Sequence, residues 1–204
     1  MNVLLINGSP HENGCTWTAL TEISDTLTQL GIESEIFHIG KDAIQGCTAC
    51  GACSQTKECV FQDNVIKELT KKLENANALI IGSPVYFAGP NGSLCALLDR
   101  LFYAYGYLLT GKPGAAVVSC RRGGASATFD RLNKYFTIKQ MPVVSSRYWN
   151  SVHGNTPEEV RKDLEGLQTM RILAQNMAWL LKGIATEKRP PQEPNIATSF
   201  ADGK

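Results

Sequence analysis

Short apolar runs alternate along the chain with longer segments whose apolar residues recur every three or four positions. Most of the short runs are apolar throughout, which is typical of parallel strands buried on both faces. The periodic segments between them predict helices. We therefore predict five strands, at Val3–Ile6, Ser34–Ile39, Ala78–Gly82, Ala115–Ser119 and Pro142–Ser146.

Two of the predicted helices have apolar stripes at helical spacing. The first begins near Trp17 and ends before Gly31, which is a typical residue after a helix C-terminus. The second has an unbroken stripe and is predicted to pack in the core. Its stripe consists of Leu94, Leu97, Leu98, Leu101, Phe102 and Tyr105.

A third helix is predicted from its capping residues. Thr156 suits the N-cap, Pro157 suits the first helical position, and Glu159 completes a capping box. From this start we expect one long helix that runs to about Lys182 and ends at Gly183.

Alternating strands and helices predict an α/β fold, a doubly wound parallel sheet with helices on both faces. Ligands of such folds bind outside the carboxyl ends of the strands, so chemistry is expected in the loops after strands one, three and four. The 204 residues are enough for one substantial core, and we predict one domain over residues 1–185. Residues 186–204 hold three of the nine prolines, which predicts an extended or mobile tail.

The composition indicates which partners and which cellular compartment to expect. The net charge is +1, so the chain lacks the basic field that attracts nucleic acid or an anionic membrane. The N-terminal apolar run is too short for a signal peptide, and the chain has no apolar run of roughly 18 residues. We expect a cytoplasmic protein that acts on small molecules. Its cysteines are then ligands, redox groups or buried side chains, because disulfides are rare in the cytosol.

The loop after the first strand, "NGSPHENGCT", is rich in small polar residues and opens the first helix. Five residues separate Gly8 from Gly14, so the loop is not a Walker motif, and it also lacks the G-x-G-x-x-G fingerprint. Backbone N–H groups and hydroxyls at a helix N-terminus suit a terminal phosphate. A plain strand-to-helix turn is the alternative.

The other two loops suit a planar ring. "GSPVYF" places Pro84, Tyr86 and Phe87 after strand three, and "SCRRGGAS" follows strand four. Together with the first loop they would surround one crevice with phosphate-binding groups, an apolar clamp and a polar edge. This combination fits a flat heteroaromatic ring on a phosphorylated chain.

These motifs resemble those of the flavodoxin-like NAD(P)H-dependent FMN reductases, over roughly residues 1–183. The resemblance implies a five-stranded parallel sheet of order 2-1-3-4-5, an FMN-binding domain over residues 1–185, and a homodimer or homotetramer. It also implies hydride transfer from NAD(P)H to FMN and then to a quinone, free flavin or similar small acceptor. The implied FMN-binding residues are Ser9, His11, Gly14, Cys15 and Thr16 for the phosphate, and Pro84, Val85, Tyr86, Phe87, Ser119, Arg121, Arg122, Gly123 and Gly124 for the ring.

Two positions of the first loop depart from the family pattern "GSPRxxGNT". His11 replaces an arginine, which removes a permanent charge and a bidentate donor, and we expect a weaker or pH-dependent phosphate contact. Cys15 replaces an asparagine and leaves mainly a backbone contact. Hydride transfer to flavin needs no acid or base, so no catalytic side chain is assigned. Arg121 and Arg122 either neutralise the reduced ring, bind a nicotinamide phosphate or are simply solvated.

The segment Leu101–Leu109, "LFYAYGYLL", carries more aromatic surface than one helix face usually buries. A subunit interface is one use of this surface, and capping of the core is the other. A flavodoxin-type electron carrier is a rival function, but the near-neutral charge of the chain does not favour it.

Four of the seven cysteines lie in "CTACGACSQTKEC". Their C-x2-C-x2-C-x5-C spacing is compatible with one [4Fe-4S] cluster, whereas zinc knuckles are usually farther apart. A thioredoxin-like pair is disfavoured because the motif is predicted in a loop and not at a helix start. The motif resembles that of the iron–sulfur flavoprotein branch, in which ferredoxin passes electrons through a cluster to FMN. Two alternatives therefore remain, a cluster or free thiols, for Cys47, Cys50, Cys53 and Cys59.

Overall fold

The computed structural model describes residues 1–187, 189–191, 193–194 and 196. Its strands are β1 (Asn2–Asn7), β2 (Glu33–His38), β3 (Ala78–Tyr86), β4 (Gly89–Pro90), β5 (Gly114–Cys120) and β6 (Ser151–His153). Its helices are α1 (Cys15–Gln29), α2 (Cys53–Thr56), α3 (Asn64–Asn75), α4 (Gly92–Ala104), α5 (Ala125–Ile138), α6 (Pro157–Val160) and α7 (Leu164–Thr186).

The sheet confirms the predicted doubly wound architecture. Its order is β2-β1-β3-β5-β6, and all of these strands are parallel. Counted along the chain without the two-residue β4, which pairs antiparallel with β3, this is the order 2-1-3-4-5. The helices lie on both faces of the sheet. Two separate hydrophobic clusters show this arrangement. One contains residues of α3, α4 and α5, and the other contains residues of α1 and α7.

The stripe predicted for the second helix is confirmed: five of its residues lie on α4, Tyr105 is the C-cap residue, and all six are buried. The aromatic residues around it divide between core and surface. Phe102 and Tyr105 are buried, whereas Tyr103 and Tyr107 are 74% and 59% exposed. Because Tyr103 and Tyr107 are exposed, a subunit contact at this segment stays a prediction. No helix in the described part of the chain is both long and apolar enough to span a membrane.

The prediction of a strand at Pro142–Ser146 was wrong. Only Val143 pairs there, in an isolated bridge to Gly114, and the chain returns to the sheet at Ser151 beside Val118. The intervening residues leave the sheet edge as a loop. The side chain of Asn150 compensates for the lost pairing, because its Nδ2 donates to the carbonyl of Ala116 at 3.0 Å.

The single long helix predicted after Thr156 was also wrong. The Thr156 cap is present, with its hydroxyl accepting from the Glu159 N–H at 3.3 Å, but α6 lasts one turn. Asp163 then caps a new helix by accepting from the Gly166 N–H at 2.9 Å and also accepts from the backbone N–H of His153 at 2.7 Å. That second bond ties the helix start to β6 and interrupts the helix.

The C-terminal end of α7 also differs from the prediction. The helix continues past Gly183 to Thr186. Much of the predicted tail, residues 186–204, lies outside the described residues.

Gly8 directly follows β1 and is packed tightly against β3 and α4. Its N–H donates to the carbonyl of Gly82 at 2.9 Å, and a Cβ added to Gly8 would lie 2.8 Å from that oxygen and 2.4 Å from Leu94 Cδ2. We expect Gly8→Ala to lower the free energy of unfolding by about 1–3 kcal/mol, the usual effect of overpacking.

Urea unfolding of the two variants Gly8→Ala and Gly92→Ala measures this effect. Gly92→Ala is the matched control, because a Cβ at Gly92 meets no atom within 4 Å. Equal stability of both variants and the wild type would show that the close approach at Gly8 does not constrain the fold.

Candidate functional site

Three loops meet at one edge of the sheet because the strands before them are parallel and in register. Asn7 at the end of β1 pairs with Gly82 of β3, and Pro84 farther along β3 pairs with Ser119 of β5. The loops after these strands therefore start side by side. This is the edge at which the sequence predicted an FMN site.

The first loop is shaped by Asn7, which the sequence analysis did not select. Its Oδ1 accepts from the Ser9 N–H at 3.1 Å, and its Nδ2 donates to the carbonyl of Glu12 at 3.0 Å. The Ser9 hydroxyl accepts from the His11 N–H at 3.1 Å, and the Ser9 carbonyl lies 2.8 Å from His38 Nε2. The signal available in the sequence was a polar residue directly after the apolar run Val3–Ile6, and the structure buries it fully.

This loop leaves the N-terminus of α1 uncapped. Gly14 is the N-cap and provides no side chain, and a Cβ there would lie 2.9 Å from His11 Cβ. The imidazole of His11 is exposed at the rim. Free N–H groups in the first turn of a helix suit an anion.

The side chains of Cys15 and Thr16 have partners within the protein. Burial raises the pKa of the Cys15 thiol, whose Sγ lies 3.7 Å from the carbonyl of Gly154. The Thr16 hydroxyl is buried and lies 2.8 Å from the hydroxyl of Ser119, so it joins the first loop to the third. Cys15 is therefore a neutral thiol at neutral pH, and its contribution to an anion site is its backbone N–H.

The second loop is a tight hairpin whose tip presents an aromatic ring. Tyr86 pairs with Gly89, and the two residues between them, Phe87 and Ala88, have φ of 50° and 59°. Positive φ at both central residues is the requirement of a type I′ turn, and residues with a side chain adopt it at some cost. Phe87 is fully exposed and Tyr86 is 44% exposed. The hairpin thus holds two aromatic side chains out from the sheet edge.

The third loop packs against this hairpin. Gly124 has φ +91°, and a Cβ there would lie 2.9 Å from both the Ala88 Cα and the Val85 Cγ1. Arg121 and Arg122 are exposed, and neither forms an ion pair with another residue of the described chain. Gly123 is exposed beside them. The loop therefore presents two free positive charges next to the aromatic hairpin.

Asn91 connects the first two loops at the start of α4. Its Nδ2 donates to the carbonyl of Gly8 at 3.0 Å, its backbone N–H donates to Ser83 Oγ at 3.0 Å, and its Oδ1 caps α4 by accepting from the Ser93 N–H at 2.8 Å. The sequence analysis missed this residue, although an asparagine before a helical stripe is a capping signal. All three loops are thus fixed by buried polar contacts.

This edge fits a phosphorylated flat ring. The uncapped helix offers anion-binding N–H groups, the hairpin offers exposed aromatic and apolar surface, and Arg121 and Arg122 offer positive charge. None of these residues forms a nucleophile–base pair. The arrangement is suited to holding a cofactor whose own ring does the chemistry.

The four cysteines of the predicted metal loop line one cavity of about 150 Å³, and all seven cysteines of the chain are free. Cys47 and Cys50 are exposed, whereas Cys53 and Cys59 are half-buried and pack against the core. The expectation that the motif lies wholly in a loop was wrong, because Cys53 begins the one-turn helix α2. The rest of the cavity wall is Thr48, Ala49, Gly51, Val60, Phe61, Arg100, Tyr103 and Ala104.

A buried arginine of α4 lies under this loop. The Arg100 side chain has no exposed surface, and its Nη1 contacts Asp63 Oδ2 at 2.6 Å and the Gln45 carbonyl at 3.1 Å. Its Nη2 donates to the carbonyl of Phe61, and its Nε donates to Cys59 Sγ at 3.4 Å. Arg100 was not among the residues predicted from the sequence, because only its place beside the α4 stripe marks it.

Asp63 keeps its charge opposite this guanidinium. Burial alone would raise the pKa of the carboxyl, but the Ile66 N–H and Arg100 together hold that pKa below its ordinary value. The carboxyl therefore stays ionised opposite Arg100 at neutral pH. Tyr105 supports the same segment, because its hydroxyl accepts from the Cys59 N–H at 3.3 Å and from Gln62 Nε2 at 2.8 Å.

The cysteine arrangement can be compared with two kinds of metal site. Among the described residues, no three His, Cys, Asp or Glu side chains are grouped so that they could hold a metal ion, so a tetrahedral zinc site is not preformed. A [4Fe-4S] cluster binds each thiolate to a different iron, so it needs four cysteines around a cavity. The four cysteines line one cavity and so meet this requirement of number and placement, although their side chains are not grouped as a metal site.

The chain is similar to a family of FMN reductases and to proteins named iron–sulfur flavoproteins. The profile of the family described as NADPH-dependent FMN reductase matches residues 1–156. An iron–sulfur flavoprotein of Methanocaldococcus jannaschii is 32% identical over 190 residues, which cover 89% of this chain and 98% of that protein. An iron–sulfur flavoprotein of Methanosarcina thermophila is 28% identical over 187 residues, which cover 89% and 96%.

A solved flavodoxin from the domain Archaea has the same fold, with a TM-score of 0.59 at 13% identity over 89% of this chain and 99% of that one. The flavodoxin-like fold predicted from the motifs is therefore confirmed. The chain belongs to the NADPH-dependent FMN reductase family, in its iron–sulfur flavoprotein branch, and is an FMN flavoprotein oxidoreductase.

Proposed function

We propose that this oxidoreductase holds FMN at the sheet edge and a [4Fe-4S] cluster in the cysteine loop, and that it moves electrons between them on the way to a small acceptor. The observation that carries the proposal is the convergence of Cys47, Cys50, Cys53 and Cys59 on one cavity. The relatives named iron–sulfur flavoproteins support it. FMN, when bound, supplies hydride and single-electron chemistry, and the cluster supplies single-electron transfer.

The phosphate is assigned to the first loop. The N–H groups of Cys15 and Thr16 in the first turn of α1 and the hydroxyl of Ser9 would bind its oxygens. Gly14 allows the tight turn that brings these groups together. His11 at the rim contributes charge only when it is protonated, so it cannot replace the permanent charge of an arginine.

The ring is assigned to the second and third loops. Pro84, Val85, Tyr86 and Phe87 would contact its faces, and the backbone from Ser119 to Gly124 would contact its polar edge. Arg121 and Arg122 would neutralise the negative charge that reduction adds to the ring. No acid or base is assigned, because the electrons and the hydride move without one.

Helix α4 connects the two assigned sites. Asn91 at its N-cap fixes the first two loops, and Arg100 near its other end lies against the cysteine loop. Nine residues of helix correspond to a rise of about 14 Å. The two groups would therefore sit against the same rigid element, which favours a constant separation.

A second function is favoured by the open hairpin. Tyr86 and Phe87 are exposed, so a nicotinamide and then a small acceptor such as a quinone or free flavin could stack in turn on a ring held there. The family described as NADPH-dependent FMN reductase supports this candidate. It requires FMN and NAD(P)H but no cluster.

The first prediction concerns the flavin and its phosphate contact. Heat should release FMN from the purified protein, and Ser9→Ala should weaken FMN binding because a hydrogen bond to a charged phosphate contributes about 1.5–3 kcal/mol, roughly ten- to a hundredfold in Kd. Fluorescence titration of the apoprotein measures Kd. Ser24→Ala is the control, because Ser24 Oγ lies 2.8 Å from Ser34 Oγ, away from the loop. Released FAD, or equal affinities in the two variants, would contradict the assignment.

The second prediction concerns the cluster. Protein purified without oxygen should contain about four irons and four acid-labile sulfides per chain, as a [4Fe-4S] cluster requires. Cys50→Ser should lose most of both, because it removes one of the four thiolate ligands. Cys95→Ser, which changes a cysteine outside the cavity, should retain them. Iron near zero in the wild type after anaerobic reconstitution would reject the cluster.

The third prediction separates the two functions by their electron source. Reduced ferredoxin should bleach the flavin of the wild type at least about tenfold faster than that of Cys50→Ser, since the electrons reach FMN through the cluster. Anaerobic stopped-flow absorption measures both rates. Equal bleaching of both proteins by NADPH, together with no effect of ferredoxin, would assign the second function instead.

A further inference from the structure

One side chain joins the two ends of the cysteine loop, the segment from Cys47 to Cys59. Arg100 binds the carbonyl of Gln45, two residues before the first cysteine, and the carbonyl of Phe61, two residues after the last. The same guanidinium donates to Cys59 Sγ at 3.4 Å and pairs with Asp63 at 2.6 Å. Every nitrogen of a fully buried cation is thus directed at the loop or its flank.

An ion pair alone does not explain this geometry. A surface arginine could pair with Asp63, whose side chain is 39% exposed, without the cost of burying the guanidinium. Burial places the positive charge at the wall of the cysteine cavity, on the side of Cys59. The Phe61 ring, 5.9 Å from the guanidinium carbon, covers it from another direction.

We propose that Arg100 is a positioning residue for the cluster, which sets the place of Cys59 and raises the reduction potential of the cluster by donating an N–H to the Cys59 sulfur. The proposal rests on the proposed function, because it needs the cluster. Reduction adds one electron and therefore one negative charge to the cluster and its thiolates. A positive N–H donor at a sulfur stabilises the reduced form more than the oxidised form, so electron uptake becomes more favourable.

The experiment compares three variants of the full holoprotein with the wild type. Arg100→Met combined with Asp63→Asn removes the N–H donors and also removes the carboxylate that would otherwise be left without a partner. Asp63→Asn alone is the matched control, because it breaks the ion pair and keeps the N–H on Cys59. Arg100→Lys is a milder variant that keeps the charge but loses the planar fork.

The measurement is an anaerobic redox titration followed by electron paramagnetic resonance, with iron and FMN contents determined on the same samples. We expect the double variant to keep its FMN and its iron but to show an equilibrium constant for electron uptake roughly tenfold lower, which corresponds to about 59 mV for one electron. Arg100→Lys should shift the potential in the same direction, and this variant tests the proposal if the double variant does not fold. Asp63→Asn alone should stay within about threefold of the wild type.

Two results would overturn the inference. An unchanged potential in the folded Arg100 variants would leave Arg100 as a structural residue only. A shift in Asp63→Asn as large as in the double variant would assign the effect to the ion pair and not to the N–H on Cys59. Absence of iron from the wild type is a different failure, since it rejects the cluster and this inference with it.

Discussion

The parallel pairing of β1, β3 and β5 is the constraint on which the rest of the site depends. It brings the ends of three strands to one edge, where Asn7 pairs with Gly82 and Pro84 pairs with Ser119. The backbone N–H and C=O groups of each loop need hydrogen-bond partners, and buried polar side chains provide them. Because these contacts are internal to the protein, the edge is preformed for a ligand and not built by it.

Helix α4 extends this order to the cysteine loop. Its apolar stripe packs in the core, and polar residues at two positions of the helix contact different loops. Asn91 holds the first and second loops, and Arg100 holds the loop that carries the cysteines. The cysteine loop contains little secondary structure beyond the one-turn helix α2, so its shape depends on that guanidinium and on the Tyr105 hydroxyl. The cysteine loop is thereby tied to the core of the flavodoxin-like fold.

Much of the fold follows from the sequence, because strands and stripes are local patterns. The fifth strand was misplaced because Pro142–Ser146 has the apolar pattern of a strand but forms a single bridge, to Gly114, whereas the paired strand starts at Ser151. The candidate loops could be found from their motifs, whereas the bonds between them could not, since Thr16 and Ser119 are 103 residues apart in the sequence. Arg100 was missed for the same reason. Its partners lie 37 to 55 residues away, and only folding brings them together.

The proposed function requires one chain to hold a flavin at the sheet edge and an iron–sulfur cluster in the cavity beside Arg100. The most direct measurement is anomalous X-ray diffraction at the iron absorption edge, on crystals of protein purified and grown without oxygen. We expect a single strong iron peak surrounded by Cys47, Cys50, Cys53 and Cys59, with flavin density against Tyr86 and Phe87 in the same crystal. An empty cysteine cavity in crystals that contain the flavin, or an iron peak bound elsewhere, would contradict it.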